Sequence, residues 1–302
     1  MTPRPVTLTA PAINKVYDGG YTYDLNITDL AAMSRQLSGS DSFNAARAVF
    51  SGNNPNVGAG KVVVIDPASV FINDGNSGQN YAVSYTSSTG NITPATLLIT
   101  AANDAKFMVQ SDTPGYSGAL YKGFVNGESI ASLPVGKQSL LIARSDSSNN
   151  NPGSYLLTPS GHGVQGEVVG NYQVSYATGT YTILGAKDLL IRATSVSTYG
   201  SIPTYSYTAQ YLAADGATLS YINTSSLSPT PITIVASGST PFVLSDGVGS
   251  LTMGFMPEGA GLSRSGNTKA GQYNIAVIPG WAKTGNSFQN LAVVGISTVE
   301  PR

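Results

Sequence analysis

NYAVSYTSSTGNITPATLLITA, residues 80–101, returns 91 residues later as NYQVSYATGTYTILGAKDLLIRA, residues 171–193. Both stretches read Asn-Tyr-x-Val-Ser-Tyr, then a Thr-Gly turn, a second apolar run and finally Leu-Leu-Ile-x-Ala. Apolar and polar residues alternate through Tyr81–Tyr85 and Tyr172–Tyr176, which puts residues i, i+2 and i+4 on one face of a β-strand. A weaker third copy, NLAVVGISTVEP, starts at Asn290. Upstream of each copy a glycine enters an apolar run: Gly58 before Lys61–Val64, Gly153 before Tyr155–Leu157 and Gly271 before Tyr273–Ile275. The glycine-to-asparagine intervals are 22, 18 and 19 residues, so two elements keep their spacing three times over.

A unit duplicated in this way predicts three tandem modules, residues 1–95, 96–188 and 189–302, with joints near Thr96 and Asp188. The linkers Pro94–Thr96 and Gly185–Asp188 are short, which predicts a semi-rigid, elongated array. The third module carries an inserted hairpin around Phe242–Leu244 and Leu251–Phe255. Pro301 matches Pro94, so the chain reads as a piece of a longer array. The fold class is all-β, with β-sandwich and β-grasp-like modules both compatible with the strands. Helical periodicity occurs once, at Thr28–Leu37, where Thr28 or Asp29 is placed to cap and Leu30, Met33 and Leu37 share a face.

Composition narrows the chemistry. The 302 residues hold 15 Lys+Arg against 16 Asp+Glu, a formal charge of −1, no Cys, one His, one Trp and 17 Tyr. Without cysteine there is no disulfide, thiol nucleophile or thiolate metal site. One histidine provides neither a zinc triad nor a two-histidine metal face. The balanced, unclustered charge argues against nucleic acid as a partner. No apolar run approaches the length of a transmembrane segment, and the first residues lack a signal-peptide core.

Local motifs add little catalysis. Gly161-His-Gly-Val-Gln-Gly166 matches a dinucleotide pattern, but a strand follows where the phosphate would need a helix N-terminus. His162 between glycines reads as an exposed, solvated loop residue. There is no G-x-S-x-G elbow. The acids Asp41, Asp74, Asp112, Glu128, Asp146, Asp215 and Asp246 are scattered in turns, where a carboxylate bonds its own backbone. Asn73–Asn76 resembles a calcium loop without its later acidic ligand, so no cofactor is expected and any calcium is structural. The residue class with binding potential is tyrosine. Tyr205, Tyr207 and Tyr211 share one strand face and, with Trp281, are the candidate carbohydrate contacts. The alternative, which β-propensity favours, packs these rings in the core. Sequons occur at Asn26, Asn91 and Asn223.

Lys15-Val-Tyr-Asp-Gly19, with the Asn80-Tyr81 strand and the Ile92-Thr93-Pro94 close, resembles the YDG domain. Tyr199-Gly-Ser-Ile-Pro-Thr-Tyr-Ser-Tyr207 resembles the Tyr-Gly opening of the related MBG domains. Phe124-Val-Asn-Gly-Glu128 is similar to an MBG turn. The sequence departs at Phe107, where the second module's Tyr-Gly would stand, and between Leu219 and Gly271. Both families occur as tandem repeats in large bacterial surface exoproteins, including filamentous-haemagglutinin-like adhesins exported by two-partner secretion, and neither carries catalytic residues. The resemblance implies a non-enzymatic stalk or adhesive segment of a secreted cell-surface adhesin or biofilm-matrix exoprotein. Its partners would be host-surface or matrix glycans, or a receptor, and neighbouring modules. The alternative is a carbohydrate-binding region of a phage tail fibre or polysaccharide hydrolase.

Overall fold

The computed structural model describes residues 2–221, 242–245, 250–279, 282–284 and 288–302. They form two compact units. One comprises Met1–Thr96, Gly123–Val135 and Gly166–Gln173; the other comprises Leu97–Lys122, Gly136–Gln165 and Val174–Arg302. Strands dominate both, with a single α-helix among the described residues.

In the first unit the opening strand, Arg4–Thr9 and then Asn14–Val16, runs parallel to the closing strand, Tyr81–Thr86 and then Ser88–Thr93. Gly58–Ile65 pairs antiparallel with the closing strand, followed outward by Arg47–Phe50 and Thr22–Asp24. Alternation decides what is buried: Val6 and Leu8, and Val63 and Ile65, face the core with Phe50 and Ile92. The helix spans Ile27–Ser34 rather than Thr28–Leu37. Its cap is Asn26, not Thr28 or Asp29. Asn26 Oδ1 accepts from the Thr28 and Asp29 N–H groups at 2.9 and 3.0 Å, while Asp29 returns a bond to the Asn26 N–H at 3.2 Å. Asparagine ranks with the best cap residues, and this reciprocal capping box outcompetes a start two residues later.

In the second unit Asp104–Phe107 runs parallel to Gly179–Leu184, flanked antiparallel by Gly153–Ser160 and then Leu141–Arg144. Leu189–Thr198 runs parallel to Leu291–Glu300 over ten residues, with Tyr205–Leu212 on one side and Gly271–Val277 on the other. In the second of these sheets the parallel first and last strands stand between antiparallel flanks. Phe242–Ser245 and Ser250–Met253 pair antiparallel, and Ala282–Thr284 adds a third strand.

The recurrence read from sequence reappears atom by atom. The first N–H of each opening strand binds the carbonyl of the repeated asparagine: Arg4 to Asn80 at 2.8 Å, Ala95 to Asn171 at 3.1 Å and Leu189 to Asn290 at 2.9 Å. Gly58, Gly153 and Gly271 each begin a strand, opposite Ile92, Ile183 and Val299 of the closing strands. Each opening strand ends alike, with Tyr17, Met108 and Tyr199 donating to Thr93, Leu184 and Glu300. The counterpart of Tyr17 in the second copy is therefore Met108, one residue beyond Phe107. Glycine is required where the paired strands press closest: a Cβ on Gly295 would stand 1.7 Å from the Ala193 carbonyl oxygen.

The Leu-Leu-Ile run has a physical cause. Leu189 and Ile191 face a core with Ala209, Phe255, Ile275 and Phe288. Leu190, on the opposite face, packs with Phe107, Leu184, Leu212, Ala292 and Val294. A strand covered on both faces loses polar alternation. The second of these cores joins strands of the second and third copies.

Candidate functional site

The tyrosine row comes first because sequence reasoning singled it out. Tyr205, Tyr207 and Tyr211 do share a face of Tyr205–Leu212, and that face is turned to the third copy's core. Tyr205 and Tyr207 lie 5.4 and 5.8 Å from the Phe255 ring, and Tyr211 lies 5.6 Å from Phe288 in an edge contact. Burial raises the Tyr205 and Tyr207 pKa values. All three are half-buried, with part of each ring packed against that core. Trp281, Asp246 and the Asn223 sequon lie outside the described residues.

His162 is not solvated. It is fully buried, its Nδ1 2.8 Å from the Lys137 carbonyl oxygen and its Nε2 2.9 Å from the Tyr121 hydroxyl. A carbonyl only accepts, so Nδ1 carries a proton and donates it to Lys137. The flanking glycines serve this packing: a Cβ on Gly161 would meet the Ser139 carbonyl oxygen at 2.2 Å. Burial, with Tyr176 nearby, lifts the Tyr121 phenol to about 12.

The most enzyme-like constellation was missed by sequence reading. Asp112 receives Lys106 Nζ at 2.6 Å, Arg144 Nε at 2.9 Å and the Tyr116 hydroxyl at 3.1 Å. Burial alone would raise this carboxyl; the hydrogen bonds from Lys106, Arg144 and Tyr116 outweigh it and hold the pKa at about 2. Arg144 spends its remaining donors on the carbonyls of Asp146, Ser147 and Asn149. Its guanidinium lies 5.0 and 5.3 Å from the Tyr155 and Tyr181 ring centroids. The cluster thus folds the 146–149 loop against the sheet. A lysine within the apolar strand Asp104-Ala-Lys-Phe107 was the signal available, since a buried amine needs a partner.

Two further acids serve turns. Asp74 accepts the N–H groups of Asn76, Gly78 and Asn80 at 2.9, 2.8 and 3.1 Å, which places backbone donors where a calcium ion would need its oxygens. Among the described residues no three acidic or histidine side chains converge as a metal set. Glu128 bridges two tyrosines in the first unit: its Oε2 accepts from Tyr172 at 2.5 Å and its Oε1 from Tyr17. The Tyr17 and Tyr172 rings meet edge to face at 5.6 Å. Asn171 adds to this contact, its Oδ1 accepting the Val57 N–H and its Nδ2 donating to Asn56, both at 3.0 Å.

A family model for the YDG domain matches residues 2–89, and one for the MBG domain (YGX type) matches residues 97–182. Neither family is known as enzymatic. No curated protein and no solved structure matches the chain.

Proposed function

We propose that this chain, in which residues 2–89 match the YDG domain and residues 97–182 the MBG domain of the YGX type, is a non-enzymatic stalk or adhesive segment of a secreted bacterial surface adhesin or matrix exoprotein. Its work is mechanical and multivalent: tandem β-modules carry weak contacts to surface glycans, matrix or a receptor, and the contacts add through avidity. The observation that carries this reading is how successive copies are joined. Phe107 and Leu184 share a core with Leu190, Leu212, Ala292 and Val294, and Tyr17 is tied to Glu128 and Tyr172. The groups best suited to proton transfer, Asp112 and His162, are occupied in packing the fold, which supports a non-catalytic role.

The test presents the intact chain, clustered on beads, to a glycan array and to extracted matrix polysaccharide. Retention by the beads at concentrations where the free chain washes away is expected. No retention on any surface, or release of reducing ends that a single carboxylate substitution abolishes, overturns the reading.

A further inference from the structure

One arrangement occurs twice in the first unit and is filled completely only once. The Tyr172 hydroxyl donates to Glu128 Oε2 at 2.5 Å and accepts the Val125 N–H at 3.2 Å. The Tyr81 hydroxyl donates to Asp41 Oδ2 at 2.6 Å and accepts the Ser38 N–H at 2.9 Å. In both, the acid is the fourth residue of a turn closed onto the first: Glu128 N–H to the Val125 carbonyl at 2.9 Å, and Asp41 N–H to the Ser38 carbonyl at 3.1 Å. These are the two tyrosines of the Asn-Tyr repeat, so the device was duplicated with it.

The occupied copy shows what fits. Glu128 Oε1 receives the Tyr17 hydroxyl, and Gly19 lies so close to Asn126 that a Cβ would stand 2.6 Å from its Cβ. In the other copy Asp41 Oδ1 takes no hydrogen bond from any described residue, and Ser38, Gly39 and Ser40 are exposed. The donor is repeated too. Tyr199 ends its opening strand as Tyr17 does, N–H on the closing strand, and a left-handed glycine follows it, Gly200 directly at φ +88°, as Gly19 at φ +80° follows Tyr17 two residues on. The Tyr199 hydroxyl faces neutral groups, Ser263, Ser265 and Asn267, which lower its pKa, in a loop that also exposes Arg264.

We propose that the Ser38–Asp41 turn is a docking site for a tyrosine–glycine tip, and that its partner is a second copy of this chain, bound through Tyr199-Gly200. The Tyr199 hydroxyl exchanges neutral partners for Asp41 Oδ1, a charge-assisted bond, and Arg264 brings the opposite charge to the same acid. Tip and turn are different surfaces, so the contact is heterologous and joins copies head to tail rather than as an isologous pair. Lacking the covalent link that holds Tyr17 to its turn, the contact is weak and shows only at high concentration of the chain. The inference is independent of what the modules attach to.

Sedimentation velocity of the intact chain, over a concentration series reaching about 1 mM, is expected to show a sedimentation coefficient that rises without a plateau at dimer. Asp41→Asn, which keeps an oxygen for Tyr81, and Tyr199→Phe each weaken association about tenfold. The decisive sample mixes the two variants. One chain supplies Tyr199 and the other Asp41, so the mixture forms dimers, and only dimers, where each variant alone is monomeric. Arg264→Glu weakens association without touching either turn, and serves if Asp41→Asn fails to fold. A wild-type chain that stays monomeric throughout, or a mixture no larger than its components, overturns the proposal.

Discussion

Glu128 holds two tyrosine hydroxyls at once, and the effect is read on the tyrosines. Burial and the Glu128 hydrogen bond raise the Tyr17 phenol from 10.0 to about 12, and the same two causes push Tyr172 up as well. A phenol whose folded pKa exceeds its unfolded one stabilises the fold below the unfolded value and loses that contribution as pH rises. Denaturant titrations of the intact chain should therefore show the first unit stable to about pH 10 and weakening towards about pH 12. Tyr17→Phe should flatten the decline. Asp112 works in the opposite direction. Its pKa of about 2 contributes stability at neutral pH that is lost as pH falls from about 4 to about 2, amounting to about 2 kcal/mol. Asp112→Asn leaves Lys106 and Arg144 buried without their carboxylate and should cost about 3 kcal/mol, read as a lower denaturation midpoint. Ser195 has a buried hydroxyl without a hydrogen-bond partner among the described residues, so Ser195→Ala should be neutral or stabilising by up to about 1 kcal/mol.

Elements differ in how plainly the residues announce them. Period-two alternation exposed the strands Tyr81–Thr86 and Tyr172–Ala177, and the glycine spacing marked the starts of Gly58–Ile65, Gly153–Ser160 and Gly271–Val277. These are local signals. Helix placement failed by one residue at the start because Asn26 competes as a cap with Thr28 and Asp29, and only the backbone geometry ranks them. Asn26→Ala should cost about 1 kcal/mol and fray Ile27–Ser34, visible as faster amide exchange there. The partners of Asp112 and His162 were illegible for another reason: Lys106, Arg144, Tyr121 and Lys137 are brought in from separate strands and loops, and no short-range pattern encodes such meetings. The tyrosine row was legible as a face, but which side of the sheet is covered depends on Phe255 and Phe288, far along the chain.

At the scale of the molecule, the contact between copies decides how it unfolds. Phe107 is fully buried in the core that joins Leu184 to Leu190, Leu212, Ala292 and Val294. Phe107→Ala should cost about 3–5 kcal/mol and uncouple, within the second unit, the strands Asp104–Phe107 and Gly179–Leu184 from residues 189–302, splitting that unit's calorimetric transition into two. A single shifted transition would show that this core does not couple them. The parallel pairing of Leu189–Thr198 with Leu291–Glu300 carries a separate mechanical meaning. Tension that draws residue 189 away from residue 300 acts along the strands and strains every rung of the ladder together, instead of peeling rungs off one after another. Under a pulling tip, the ten-residue pair should hold to higher force than an antiparallel hairpin of equal length, and give way abruptly.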